Sequence, residues 1–189
     1  MVQKPMEFLE DLAADVPDVA ADVAELASLY QRKLWHQLTL KVEACCNQPA
    51  FNRGDLPIRF YNTFISDFAH KINLLKLAQL AVHTSKFFHD PPKSIEFLRG
   101  VVAKLEELRT AKSAQPCLFL NMHVAQHQLE TGLVAESLKA IESGREQLEA
   151  ASDVDPSVSA AVYYVASLYY KVCEAQSCSL PHSGHVWIT

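Results

Sequence analysis

Apolar residues recur along this chain at spacings of three and four, the period of a helix buried on one face. Val19, Val23, Leu26, Leu29 and Tyr30 follow Pro17-Asp18 and predict a helix over 17–31. Trp35, Leu38, Val42, Cys45 and Cys46 continue or restart that pattern over 34–46. Asn47-Gln48-Pro49 and Asn52-Arg53-Gly54-Asp55 then read as a loop, with Asp55 the expected N-cap. Over 56–71 a single stripe of Tyr61, Phe64, Ile65 and Phe68, continued by Ile72, gives the most amphipathic segment.

Asn73 is placed to cap a helix over 74–88 that is apolar almost all round, so neighbours are expected on two sides of it. His89-Asp90-Pro91-Pro92 stops that helix and starts the next, over 94–111, with Ile95, Leu98, Val101, Val102, Leu105 and Leu108 inward. After a turn at 113–116, a helix over 117–131 ends at Gly132, a natural C′ residue. Val134, Leu138, Ile141 and Leu148 mark the inner face of 133–150. Asp153-Val154-Asp155-Pro156 opens the last helix, 157–173, which presents Val158, Ala161, Val162, Val165, Leu168, Tyr169 and Val172.

No segment alternates with the period of a strand. Short connectors make successive helices antiparallel neighbours, and paired units recur after about 40 residues. The expected fold is all-α: a right-handed α-solenoid of antiparallel helix hairpins, resembling a degenerate tetratricopeptide array. Its expected organisation is an acidic segment over 1–17, a helical-repeat domain over 18–173 and a divergent flexible tail over 174–189.

Composition agrees with helix. Leucine and alanine dominate 189 residues that are 49% hydrophobic and hold only 5 glycines. The formal net charge is −5, which disfavours a surface built for phosphate backbones. Seven of the acids (Glu7, Glu10, Asp11, Asp15, Asp18, Asp22 and Glu25) fall before residue 32. They form either a solvated helix face or a contact for a basic partner. The 5 cysteines read as free thiols of a reducing compartment, and residues 1–20 lack the pattern of a signal peptide. No run reaches the length of a membrane span.

Candidate chemistry is sparse. His123 and His127 share a helix face, but the glutamate of a His-Glu-x-x-His motif and a third ligand are missing. Cys173, Cys178, His182 and His185 are ligand types at a spacing that fits no zinc finger or ribbon. No Gly-x-Ser-x-Gly elbow or glycine-rich phosphate loop occurs. The expectation is therefore no catalytic, cofactor-binding or metal-binding residue, no cofactor, and no enzyme. The surplus is aromatic. The block 29–36, the pairs Phe87-Phe88 and Tyr163-Tyr164, and Tyr169-Tyr170 either pack or meet a partner, since an adjacent pair cannot share one narrow stripe.

Several blocks carry a family likeness: Leu29-Tyr30-Gln31-Arg32-Lys33-Leu34-Trp35-His36-Gln37-Leu38-Thr39-Leu40, Gly54-Asp55, Phe60-Tyr61-Asn62-Thr63-Phe64-Ile65-Ser66-Asp67-Phe68, Lys71-Ile72-Asn73-Leu74-Leu75-Lys76-Leu77-Ala78 and Asp155-Pro156-Ser157-Val158. Over roughly 20–172 the chain resembles the N-terminal half of the non-ATPase regulatory subunit 13 family, PCI-domain subunits of the 26S proteasome lid, and most of all its plant members. The resemblance implies a non-catalytic scaffold in cytoplasm and nucleus that serves ubiquitin-dependent degradation. Its implied partners are other lid subunits, with no nucleic acid, membrane or small-molecule substrate. Family members continue into a winged-helix PCI module, whereas this sequence diverges after Tyr170-Lys171-Val172. The expectation is a C-terminally truncated form without that module, whose last helix leaves an apolar end patch and favours self-association. A free-standing helical-repeat adaptor is the alternative.

Overall fold

Proline marks the helix starts. Pro5, Pro91 and Pro156 each open a helix, at positions where the missing N–H would have had no intrahelical partner. The structure, a computed structural model, describes residues 4–108 and 111–178. Among these residues the elements are α1 (Pro5–Asp15), α2 (Ala20–Gln31), α3 (Trp35–Cys46), α4 (Leu56–Thr63), α5 (Leu74–Ser85), α6 (Pro91–Glu107), α7 (Ala114–Glu130), α8 (Val134–Ala150) and α9 (Pro156–Cys178). Short 3-10 turns occupy Pro17–Val19, Ile65–Asp67, Ala69–Lys71 and Ala111–Ser113, and no strand occurs among the described residues. The fold is all-α, as the periodicity indicates, and the starts of α6 to α9 keep the expected recurrence.

The chain separates into two compact units, residues 1–121 and 122–189. In the first unit, α1 packs on α2, α2 on α3, α4 on α5 and α5 on α6. Its core is an aromatic column. Phe60 meets Phe8, Phe51 and Phe64 at centroid separations of 6.3, 5.4 and 5.4 Å, and Phe64 meets Phe68 at 5.3 Å. All five rings are essentially inaccessible, and rings of this size give the largest burial energy per residue.

In the second unit α8 packs on α9. Ser137 on α8 is fully buried, and its hydroxyl donates to the Ala125 carbonyl of α7 at 2.9 Å. The turn between α7 and α8 is a Schellman motif. Leu133 N–H donates to the Gln128 carbonyl and Gly132 N–H to the Leu129 carbonyl, with Gly132 at φ +81° as its expected C′ role requires.

Several elements differ from expectation. Residues 5–15, within the expected acidic segment, form α1, whose Phe8, Leu9 and Leu12 are buried while Glu7, Glu10, Asp11 and Asp15 stay exposed. The helix expected over 56–71 ends at Thr63 and continues as two 3-10 turns. There the Ser66 hydroxyl donates to the Asn62 carbonyl, and Asp67 and Lys71 N–H groups bond three residues back. Asp55 sits at the N-cap of α4 without a side-chain cap bond; its backbone carbonyl accepts from Ile58 and Arg59. Asn73 caps α5 as expected, accepting from Leu75 and Lys76 N–H at 2.8 and 3.2 Å.

Further along, α5 stops at Ser85, and Phe87 and Phe88 lie in the following turn. Phe88 there reaches Phe97 of α6 at 5.1 Å. Leu108 lies past the end of α6 and is exposed rather than inward. Helix α7 starts at Ala114, so Pro116 falls inside its first turn, where the absent N–H costs nothing. Along α8 the deeply buried positions are Ser137, Ile141 and Gly144, and Val134, Leu138 and Leu148 are half-buried. Helix α9 runs on to Cys178, because Glu174-Ala175-Gln176 holds no breaker before Pro181. The rest of the expected tail, including His182, His185 and Trp187, lies outside the described residues.

Candidate protein-interaction surfaces

The block 29–36 brings bulky rings and cations together in the sequence; Tyr30 and Trp35 are half-buried against the aromatic column, and His36 is exposed. Tyr30 on α2 lies 5.6 Å from Phe64, 6.4 Å from Phe68 and 5.9 Å from Trp35. Trp35 stacks on Phe68 with an interplanar angle of 15°. The Tyr30 hydroxyl donates to the Asp67 carboxylate, and burial followed by that bond raises its pKa to about 12. The turn between α2 and α3 is held by a second Schellman pattern, Leu34 N–H to the Leu29 carbonyl and Lys33 N–H to the Tyr30 carbonyl. It places Lys33 at φ +56°, a left-handed conformation unusual for a residue with a Cβ.

The acidic start is partly neutralised within the chain. Lys41 on α3 bonds Asp22 at 2.7 Å and also pairs with Glu25. These carboxylates hold its pKa above the usual lysine value, the Asp22 bond contributing most, and the Asp22 carboxyl is lowered by the same bond. Asp18 pairs with Arg53 at 3.4 Å, and the Arg59 guanidinium lies over the Phe8 ring. Part of the acidic face thus ties α2 to α3, and the 3-10 turn before α2 to the loop before α4.

Among the described residues, reactive groups do not converge. Cys45, Cys46 and Cys117 are buried free thiols, and burial raises their pKa values to about 12, about 12 and about 11. Thiols so far from ionisation are packing residues rather than nucleophiles. His127 bonds the Glu130 carboxylate at 3.0 Å. No group of three or more His, Cys, Asp or Glu side chains that could hold a metal ion occurs among the described residues. His83 contacts Asn52 at 3.2 Å, and Asn52 in turn donates to the Cys46 carbonyl at 2.8 Å, which pins the 47–55 loop against α5. Burial, then the Lys86 charge, lowers the His83 pKa.

Two shallow grooves flank Tyr61 in the first unit. One, of about 440 Å³, is lined by Ile58, Phe88, Phe97, Lys93 and Glu96; the other, of about 180 Å³, by His70, Leu74, Leu77 and Leu108. Tyr61, Val101 and Lys104 border both. Tyr61 packs edge-on against Phe97 at 5.2 Å, and burial raises its pKa. In the second unit α9 buries Val158, Ala161, Val162 and Val165 and exposes Tyr163, Tyr164 and Tyr170. Tyr163 and Tyr164, adjacent in the sequence, are both exposed. Phe87 and Phe88 are half-buried and pack within the first unit.

The family profile described as PSD13 N-terminal repeats matches residues 22–177. Two Arabidopsis thaliana proteins, the 26S proteasome non-ATPase regulatory subunit 13 homologs A and B, are 39% and 38% identical over 88% of this chain. The Dictyostelium discoideum 26S proteasome non-ATPase regulatory subunit 13 is 29% identical over 88% of it. The chain spans 43% of the length of each of these relatives. No helix among the described residues is long and apolar enough to cross a membrane.

Proposed function

The chain belongs to the family of PSD13 N-terminal repeats, and on that premise we propose that it is a non-catalytic structural subunit of the 26S proteasome regulatory-particle lid. In this reading it supports ubiquitin-dependent protein degradation by holding other lid subunits, in cytoplasm and nucleus, without cofactor or small-molecule substrate. The helical-repeat region expected over 18–173, stacked as a right-handed solenoid, is the part that makes those contacts. The observation that carries the reading is the profile match over 22–177, which takes in α3 to α8 whole and nearly all of α2 and α9. The physical support is what the most family-like residues do. Tyr30, Trp35, Phe64 and Phe68 build one aromatic cluster, buried at Phe64 and Phe68 and half-buried at Tyr30 and Trp35, a packing role that fits a scaffold, and the described side chains around it offer no nucleophile with its base.

The test is retention of the intact 189-residue chain on purified lid subunits, alongside a version extended with a PCI module. Retention of both supports the reading. Retention of the extended version alone overturns it for this chain. The exposure of Tyr163 and Tyr164 favours a second reading, a free-standing helical-repeat adaptor. That reading gains if the chain binds helical peptides while the lid subunits fail to retain it.

A further inference from the structure

A serine or threonine followed three residues on by a carboxylate occurs twice in the chain, at Ser143-Gly144-Arg145-Glu146 and at Ser152-Asp153-Val154-Asp155. The fold separates the two. Ser143 lies inside α8, where its hydroxyl accepts from the Gln147 amide at 3.1 Å. Ser152 lies outside both helices, in the connector 151–155 between α8 and α9. It is exposed, and its hydroxyl meets no hydrogen-bond partner among the described residues. Asp155 is fixed at the start of α9, where one carboxylate oxygen accepts from the Ser157 N–H at 2.8 Å and from the Ser157 hydroxyl at 2.6 Å. Those bonds, the hydroxyl's foremost, lower its pKa and keep it ionised. Between 146 and 155 the only full charges are the negative ones of Glu146, Glu149, Asp153 and Asp155, and all four side chains are exposed.

We propose that Ser152 is a phosphorylation site, the acceptor of a protein kinase that selects carboxylates downstream of its target hydroxyl. In-line transfer needs the acceptor oxygen clear of its own backbone and aligned with the γ-phosphate. Ser143 reaches that geometry only if the middle of α8 unwinds, against the cooperativity of a helix. Ser152 needs no helical turn undone, because the chain leaves α8 extended at Ala151, with φ −94° and ψ 136°. The γ-phosphoryl of ATP passes to Ser152 Oγ. The new P–O bond forms as the bond to the bridging β–γ oxygen breaks, ADP leaves, and the hydroxyl proton goes to the kinase's base. Asp153 and Asp155 are the groups a cationic substrate groove holds, by charge-assisted bonds. Arg145, within the Ser143 motif, opposes such a groove. The product adds a charge of about −2 at neutral pH. Its neighbours are exposed, so the modification changes the charge of the connector and leaves the packed faces of α8 and α9 in place. None of this chemistry depends on the lid reading.

The full chain, incubated with casein kinase II as the acidophilic kinase and with labelled ATP, tests the site. The expected result is a single phosphoryl group per chain, found by mass spectrometry in the peptide that holds Ser152, with Ser143 unmodified. Ser152→Ala should abolish the incorporation. Asp155→Asn should lower kcat/KM for the chain about tenfold. Asparagine caps a helix as aspartate does, so the helical circular dichroism of that variant should match the parent and the loss reports the charge. Ser157→Ala takes away the hydroxyl contact of the cap and no charge, and it should leave the rate unchanged. No incorporation into the parent chain, incorporation that survives Ser152→Ala, an unchanged rate in Asp155→Asn, or an equal drop in Ser157→Ala overturns the proposal.

Discussion

Lys33 shows how one residue can carry backbone strain that its neighbours impose. The Schellman bonds that close α2 require a left-handed residue, and lysine stands where glycine is the usual choice. A residue with a Cβ gives up about 1–2 kcal/mol in that conformation, while glycine returns about 0.5–1 kcal/mol of that through its greater unfolded-state freedom. Lys33 is exposed and holds no ion pair among the described residues. Lys33→Gly should therefore stabilise the chain by a few tenths to about 1 kcal/mol, and Lys33→Val should destabilise it. Urea midpoints of the two variants check both signs; a Lys33→Gly midpoint below the parent would contradict the account. The sequence carried this break only as an ambiguity between 17–31 and 34–46. Lysine gives no local sign of a left-handed turn, and the turn is set by rings that meet across α2, α3 and the 3-10 segment.

Among the elements, α1 depends most on one contact. Phe8 is buried against Phe60, and the Arg59 guanidinium covers its outer side. Phe8→Ala leaves a cavity at the head of the aromatic column and should cost about 3–5 kcal/mol. Hydrogen exchange should then show α1 amides losing protection while those of α8 and α9 keep theirs, since α8 and α9 belong to the other compact unit. A loss of under about 1 kcal/mol would mean that α1 is not docked by this ring. The helix was within reach of sequence reasoning: Pro5 at the start, with Phe8, Leu9 and Leu12 one turn apart, is an amphipathic signal. Four carboxylates in the same segment oppose that signal, since they point it toward solvent. The break in 56–71 was not legible, because Tyr61, Phe64, Ile65 and Phe68 lie on one side at three residues per turn as well as at 3.6. Helices bounded by Asn73, Gly132 and Pro156 were legible, since their caps act through local backbone chemistry.

For the whole molecule, the same separation holds between what is local and what is not. Adjacency is enough to show that Tyr163 and Tyr164 cannot share a narrow stripe, but only the fold decides that both are exposed while Tyr30 and Trp35 are half-buried against Phe64 and Phe68. Charge behaves likewise, and it predicts how stability follows pH. The His83 pKa is lowered from 6.5 in the folded chain, so the unfolded chain binds the extra proton and stability falls as pH drops through 6.5. Asp22 is lowered from 3.8, so its contribution is present above 3.8 and is lost below it as the Lys41 bond is protonated away. On the alkaline side Cys45, Cys46 and Cys117 are raised from 9.0 to about 12, about 12 and about 11. The unfolded thiols release protons that the folded ones retain, so stability falls as pH rises past 9.0. Tyr30, raised from 10.0 to about 12, steepens that loss, and the Lys41 pair keeps its full effect below 10.5 before fading. The chain should thus be most stable between pH 6.5 and 9.0, as read from urea midpoints taken across the range. His83→Gln should flatten the limb near pH 6.5, and Cys45→Ala the limb above 9.0. Each substitution must leave the other limb in place; a variant that shifts both by the same amount has only loosened the core, and the assignment of that limb to its residue fails.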